Sequence, residues 1–322
     1  NPAMSTNPKL SVVLPMYNEA ESLPHLFKRL REVLIQHGLS YEIIAVNDGS
    51  RDATKSILEE YAKAHPEIKV INFGANAGQT AALRAGIEHA KGEVIVTIDS
   101  DLENNPEDIP KLLKKMEEEQ YDVVSGWRAD RWAGEYLMRK LPSMTANMLI
   151  SKITGVPLHD YGCTLKVYKR SVIAGVPLYG EMHRFIPAYA SWRGARVTEL
   201  KVTHTPRQFG VSKYGFSRTY RVLLDLLLLK FLHKYKDRPM HFFGGFGFIL
   251  MFLGLFTGTL AIALRLTIGL HLVQTPLPVL TALLLITGLN LALMGIVAEM
   301  LMRTYYESKG EKTYIIGDTH NL

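Results

Sequence analysis

Short apolar runs rich in β-branched residues alternate with amphipathic stretches over residues 10 to 125. Leu10 to Leu14, Glu42 to Val46, Lys69 to Phe73, Val94 to Ile98 and Asp122 to Ser125 have the length and composition of strands. Between them, Glu19 to Gln36, Asp52 to Ala64, Gln79 to Lys91 and Glu107 to Glu119 repeat apolar residues at helical spacing, and Gly38 stops the first of these. This alternation predicts a mostly parallel α/β sheet with helices on both faces.

The pattern changes abruptly after Pro239. No Asp, Glu, Lys or Arg occurs from Pro239 to Leu264, nor from Leu266 to Ala298. Crossing a bilayer takes about 20 apolar residues, so these runs predict a two-span hairpin linked near Gly269 to Pro276. Lys230, Lys234, Lys236 and Arg238 precede the first span, and Arg303, Lys309 and Lys312 follow the second. The positive-inside rule then places the head and both termini in the cytoplasm, on a multi-pass protein of the cytoplasmic membrane. Arg265 is the exception, and can snorkel to the outer interface. From Phe216 to Pro239, Arg218, Arg221 and Asp225 recur at helical spacing among leucines, which predicts an amphipathic helix on the membrane surface. Its basic end would hold anionic headgroups.

The expected organisation is therefore an added scar and unstructured start at 1–8 and a catalytic head at 9–214. A juxtamembrane helix at 215–238, a transmembrane hairpin at 239–303 and a cytoplasmic tail at 304–322 follow. Leu10 to Pro15 is too short for a secretory leader and lacks a basic lead. The single cysteine, Cys163, excludes an intrachain disulfide and reads as a packing residue. Lys plus Arg number 37 against 31 Asp plus Glu, a net +6. The clustering of that charge before the first span points to lipid and phosphate, not to nucleic acid.

Polar residues gather just after each strand: Pro15 to Glu19, Asn47 to Ser50, Asn76 to Gln79, Asp99 to Asp101, and Trp127 with Arg128. In open α/β sheets ligands bind at the carboxyl ends of the strands, so these clusters predict one crevice. Neither GxGxxG after the first strand nor GxxxxGK[ST] anywhere is present, which disfavours a dinucleotide site and excludes a P-loop. Asp99 and Asp101 lie two residues apart after a buried strand, on one side of an extended chain. Two carboxylates so placed repel unless they share a cation, and a hard ion such as Mg²⁺ or Mn²⁺ suits oxygen ligands. A helix-start acid pair is the plain alternative, since Asn105-Pro106-Glu107 opens a helix. Asp48, in the VNDGS turn, can accept from a base N–H or a ribose hydroxyl, although Asp-Gly is also ordinary turn chemistry.

The segments VVLPMYNEAESL, EIIAVNDGSRDAT, FGANAGQTAALRAG and VIVTIDSDLENNPEDIPKL resemble those of family 2 glycosyltransferases of the GT-A fold. The resemblance is nearest to polyprenyl-phosphate glycosyltransferases, which include dolichyl-phosphate mannose synthases and the undecaprenyl-phosphate glucosyl- and formamido-arabinosyltransferases. It extends through HDYGCTLKVYKRSVI and RQFGVSKYG to the hairpin. It implies base and ribose contacts from Pro15, Tyr17, Glu19 and Asp48. Asn18, Gly78, Gln79, Asp99 and Ser100, in the same clusters, complete the expected nucleotide-sugar site. Metal binding by Asp99 and Asp101 is implied, with Glu103, where the family often has Gln, a further candidate. Arg128 and Arg139 resemble arginines that gather donor and acceptor phosphates. Asp160 matches a candidate sugar contact, and Arg207, Ser212 and Lys213 match the RxxGxSK loop near the acceptor.

The implied reaction is transfer of one sugar from a nucleotide-sugar donor to a polyprenyl phosphate. A phosphate acceptor is already anionic at neutral pH and needs no general base. Arg128, Arg139 and Lys213 are then expected to neutralise charge, and Asp101, with Asp160, to serve a single inverting displacement. The YGC segment leans to undecaprenyl phosphate and a UDP donor, with GDP-mannose the alternative, and relatives suggest a homo-oligomer. A processive polysaccharide synthase is disfavoured because no QxxRW is present; His183-Arg184-Phe185 and Ser191-Trp192-Arg193 are the nearest stretches. A catalytically silent scaffold is disfavoured by the intact Asp99/Asp101 pair.

Overall fold

A computed structural model describes residues 8–131, 141–174, 182–206 and 239–309, together with positions 176, 178, 231 and 235. The chain forms two compact units, Asn1–Leu226 and Leu227–Leu322. The start before residue 8, the expected surface helix apart from Phe231 and Tyr235, and the tail beyond Lys309 lie outside the described residues, as do Arg139, Arg207, Ser212 and Lys213.

The first unit is built on a seven-stranded sheet in the order β3-β2-β1-β4-β6-β5-β7. Its strands are β1 (Leu10–Met16), β2 (Tyr41–Asn47), β3 (Ile68–Asn72), β4 (Val94–Thr97), β5 (Val123–Trp127), β6 (Lys166–Lys169) and β7 (Val197–Lys201). All pairings are parallel except those of β6, which runs antiparallel to both β4 and β5. Every residue of β1 is buried, as befits a central strand covered on both faces. Its side chains alternate between two cores. Val12 and Leu14 meet Phe27, Leu30 and Leu34 of α1 (Leu23–Gln36) and Leu112 of α4 (Ile109–Glu118). Val13 faces the other way, with Ile44, Ile95, and Leu83 and Ile87 of α3 (Gln79–His89). The helix α2 (Thr54–Ala64) completes the first four strand–helix alternations.

Local chemistry shifts the helix starts from the periodic pattern. Residues 19–22 form a turn in which Thr54 Oγ1 accepts from Glu19 N at 2.9 Å, and α1 begins only after it, with Pro24 in its first turn. Likewise Pro106–Asp108 is a 3-10 turn that leads into α4. Gly86 lets α3 lie close on the sheet: a Cβ there would stand 2.3 Å from Val13 Cγ1. The second half of the head adds α5 (Leu141–Thr154), the single turn α6 (Arg170–Ile173) and α7 (Ile186–Trp192), preceded by a 3-10 turn at Met182–Phe185.

The second unit pairs α8 (Pro239–Ile268) with α9 (Leu277–Lys309) through a short link holding a 3-10 turn, Leu272–Gln274. Segments of 30 and 25 residues are long and apolar enough to cross a membrane. Phe252 and Leu266 are 71% and 79% exposed. Exposure of this kind along a whole helix is costly in water and unremarked in lipid. Gly244, Gly247, Gly254 and Gly258 line the face of α8 turned to α9. A Cβ on Gly247 would lie 2.6 Å from Gly288 O, and a Cβ on Gly288 2.6 Å from Gly247 O. The backbones therefore touch, as small residues allow in membrane helix pairs. The hydroxyls of Thr257 and Thr281 add an interhelical hydrogen bond of 2.9 Å. Gly288→Val should force the helices apart and lower the thermal midpoint of the detergent-solubilised chain, at a cost of about 1–3 kcal/mol; an unchanged melting curve would contradict the contact.

Candidate active site

Because β1 to β5 are parallel, their carboxyl ends rim one edge of the sheet. The reversed β6 enters from that same edge, so the Asp160–Thr164 segment ahead of it joins the rim. Asp48, at the end of β2, is 3% exposed. Its Oδ1 accepts from Ala77 N at 2.6 Å, and its Oδ2 from Gly78 N and Asn76 Nδ2, both at 2.9 Å. The carboxylate thus fixes the loop that starts α3, and Gly78 there has a φ of 92° that favours glycine. The next residue, Gln79, donates from Nε2 to Asp99 Oδ1 at 2.7 Å.

The expected acidic pair sits at the centre of the rim. Asp101 is 7% exposed, and its Oδ1 accepts from Glu103 N at 3.1 Å in a turn where Leu102 has a φ of 60°. Burial, and then the neighbouring Asp101 carboxylate, push the Asp99 carboxyl up to about 7, against the Thr164 hydroxyl and Arg128, which favour its anion. Ser100 faces inward and donates to Pro15 O at 3.2 Å, joining the ends of β4 and β1. Asn18 (φ 56°) and Glu19 are tied to the loop after β2: Asn18 N donates to Ser50 Oγ at 2.9 Å, and Asn18 Oδ1 accepts from Arg51 N at 2.8 Å. Tyr17 is half-buried beside them.

Arg128 and Asp160 form the second feature of the rim. Arg128 Nε donates to Asp160 Oδ2 at 2.8 Å and Nη2 to Oδ1 at 3.2 Å, a bidentate pair with Arg128 only 6% exposed. Burial alone would lower the arginine pKa and raise the aspartate's. The pair's attraction reverses both, so both groups stay charged. Glu103 leans toward the same guanidinium, 3.8 Å from Nη1. Among the described residues no third histidine, cysteine or carboxylate groups with the Asp99–Asp101 pair at metal-binding distances. A cation held by the pair would leave most of its coordination sphere to a diphosphate and water.

The described site thus brings Pro15, Tyr17, Asn18, Glu19, Asp48, Gly78, Gln79, Asp99, Ser100, Asp101, Glu103, Arg128 and Asp160 to one edge. Asp48 and Asp160 are engaged with the protein itself, in the loop after β3 and with Arg128 respectively. Sequence reasoning passed over Lys166, buried on β6. It also passed over His204, which pairs with Asn104 in an isolated β-bridge. Burial and the nearby Arg128 lower the pKa of its imidazole. The signal for His204 was present in VTHTP, directly ahead of Arg207. Thr203 N donates to Asp108 Oδ2 at 2.7 Å and Thr205 N to Glu103 O at 3.0 Å. The segment that leads into Arg207 therefore runs beside the acidic turn. Cys163 is fully buried, with its thiol 3.4 Å from Asn104 Oδ1 and pushed by burial up to about 11, in keeping with packing.

An otherwise parallel sheet with one reversed strand feeding its rim is the GT-A type of glycosyltransferase architecture, and solved structures share it. Glucosyl-3-phosphoglycerate synthase from Mycobacterium tuberculosis, solved with Mn²⁺ and UDP-glucose, matches with a TM-score of 0.54 over 69% of this chain and 79% of that one, at 16% identity. Residues 11–176 match the family model for glycosyl transferase family 2. Dodecaprenyl-phosphate galacturonate synthase of Rhizobium johnstonii is 42% identical over 318 residues, 96% of this chain and 92% of that protein. Undecaprenyl-phosphate 4-deoxy-4-formamido-L-arabinose transferase of Klebsiella pneumoniae is 35% identical over 310 residues, 96% of this chain and 92% of that protein. The chain belongs to glycosyltransferase family 2, among its polyprenyl-phosphate glycosyltransferases.

Replacing Asp160 with Asn should leave a buried guanidinium without its counter-charge. The expected loss is about 3–5 kcal/mol of stability, measured as a lowered thermal midpoint. A midpoint equal to that of the wild type would show that Arg128 finds another partner.

Proposed function

We propose that the protein transfers a single sugar from a UDP-linked donor to the phosphate of a polyprenyl phosphate, with inversion at the anomeric carbon, at the cytoplasmic face of a membrane. The observation that carries the reading is the Asp99–Asp101 pair, in which burial first, and then the Asp101 carboxylate beside it, makes the Asp99 carboxyl resist ionisation. Oxygen-only donors under mutual repulsion fit a hard cation, and Mg²⁺ or Mn²⁺ held there would neutralise charge on the leaving diphosphate. Mycobacterium tuberculosis glucosyl-3-phosphoglycerate synthase has been solved with either ion beside a uridine diphosphate group, which supports the choice.

The chain's own groups then divide the work. Gln79 orients Asp99, and Asp48 holds the loop that positions Gln79. Tyr17, Asn18 and Glu19 rim the nucleotide side. Arg128 stays cationic throughout and offsets the acidic cluster from beneath. The acceptor phosphate is anionic without help, so no residue is asked to remove a proton; cationic groups must only hold it near the anomeric carbon. Arg139, Arg207, Ser212 and Lys213 are assigned that role. Thr203 and Thr205 tie the stretch ahead of Arg207 to Asp108 and Glu103, which supports that assignment for Arg207. The apolar helix pair and the basic stretch before it suit a lipid-borne acceptor with the head in the cytoplasm. The two relatives are named for different sugars: galacturonate bears a carboxylate, and formamido-arabinose does not.

Incubation of the detergent-purified chain with undecaprenyl phosphate, Mn²⁺ and a panel of UDP-sugars should give one lipid-linked monosaccharide by mass spectrometry. Asp101→Ala should reduce its rate by at least about a hundredfold. Polymer, or a product that retains the donor's anomeric configuration, would refute the reaction type. Metal binding must also displace the proton that Asp99 holds below about pH 7. The apparent Mn²⁺ affinity should therefore fall by up to about tenfold per pH unit below that value and level off above it. A pH-independent affinity between about 5.5 and 8, by titration calorimetry, would contradict a role for Asp99 as ligand.

A further inference from the structure

The acidic turn folds back on its own first carboxylate. After Asp101, Leu102 takes a φ of 60° and turns the chain, and Asn104 is carried inward, where it is 1% exposed. Its Nδ2 donates to Thr164 Oγ1 at 3.1 Å. The Thr164 hydroxyl in turn hydrogen-bonds Asp99. The main chain of Thr164 is held in place as well. Thr97, on the strand that ends in Asp99, donates from Oγ1 to Thr164 O at 2.7 Å. Lys166 pins the residues just ahead of Thr164, donating to Cys163 O and, at 3.2 Å, to Tyr161 O.

These contacts fix which way the hydroxyl points. A threonine hydroxyl has one hydrogen to give, and an amide nitrogen can only donate. Thr164 Oγ1 therefore accepts from Asn104, and its own hydrogen goes to Asp99, whose ionised carboxylate can only accept. The amide is oriented from its other end, where Asn104 Oδ1 faces the Cys163 thiol, a weak donor, at 3.4 Å. With the amide reversed, Thr164 would meet two acceptors with a single hydrogen. Asp99 thus receives Gln79 Nε2 on Oδ1 at 2.7 Å and the Thr164 hydroxyl besides. Hydrogen bonds behind a metal-binding side chain hold its orientation and tune its affinity. We propose that Thr164, aimed by Asn104, is a positioning residue for the Asp99 carboxylate, so that Asp99 meets a divalent cation already oriented. The inference rests on the metal reading of Asp99 and Asp101 proposed above.

Mn²⁺ binding by the full, metal-free chain in detergent tests this without any turnover. Electron paramagnetic resonance counts the free Mn²⁺, with and without UDP. The wild type should bind the ion, and Asp101→Ala should not. Thr164→Val keeps the shape and loses the hydroxyl. It should weaken Mn²⁺ binding about ten- to a hundredfold, the usual cost of losing a partner behind a metal ligand. Thr164→Ser keeps the hydroxyl and should bind as the wild type does, a distinction that a packing role would not make. Asn104→Leu, which frees the hydroxyl to turn away, should weaken binding in the same direction. Thr164 is only partly buried, so Thr164→Val should fold, and its metal-free thermal midpoint checks this. If it does not fold, Thr164→Ala against Thr164→Ser repeats the comparison. Wild-type affinity in Thr164→Val, or an equal loss in Thr164→Val and Thr164→Ser, overturns the inference and leaves the metal site standing. No Mn²⁺ bound by the wild type, with or without UDP, overturns both.

Discussion

Arg128 can stay buried because Asp160 reaches it, and Asp160 reaches it because β6 runs against its neighbours. The isolated burial of a guanidinium is among the more costly things a fold can do. Here the cost is offset by a bidentate partner delivered from the strand that breaks the parallel rule. That delivery also sets where the Tyr161–Thr164 turn lies. Thr164 then touches Asp99 on one side and a small pocket beside Lys166 on the other. The electrostatics of the crevice descend from the direction of one four-residue strand.

The site has a front and a back of opposite character. At the front, Asp99, Asp101 and Glu103 crowd together, and one of them resists giving up its proton. At the back, Lys166, His183 and Arg184 line a small pocket. The front suits a molecule whose own anionic oxygens would share a cation with the two carboxylates. Such preorganised dipoles and charges are what make transfer within a crevice fast, since little has to reorient as the bond breaks.

Much of this was legible in the chain. The strands β1 to β5 announced themselves as β-branched runs, and the polar residues that follow them are the rim. The helix pair was plain from its uncharged length. What could not be read is instructive. The β6 strand is four residues long, with lysine at each end, and looks like an exposed turn; nothing local tells that Lys166 faces inward. The β7 strand is half-exposed and carries Glu199 and Lys201, so it lacks the apolar signature of a covered strand. Asp48 reads as a ligand contact because turns and ligand sites use the same residue, and only the hydrogen bonds to Ala77 and Gly78 reveal how its oxygens are spent. The direction of β6 is a long-range property, and with it went the meeting of Arg128 and Asp160.

The backbone contact of Gly247 with Gly288 has a bearing on transport. Two helices that touch main chain to main chain have no bore between them. A long isoprenoid tail could not thread such a pair; on the proposed reading it would lie along the outer wall, in the hydrocarbon. An acceptor of that kind never dissolves toward the enzyme; it diffuses sideways in the leaflet and is met as an areal density. The rate of encounter would then be set by leaflet viscosity and lipid packing around the pair, and the lipid product would leave by the same lateral route.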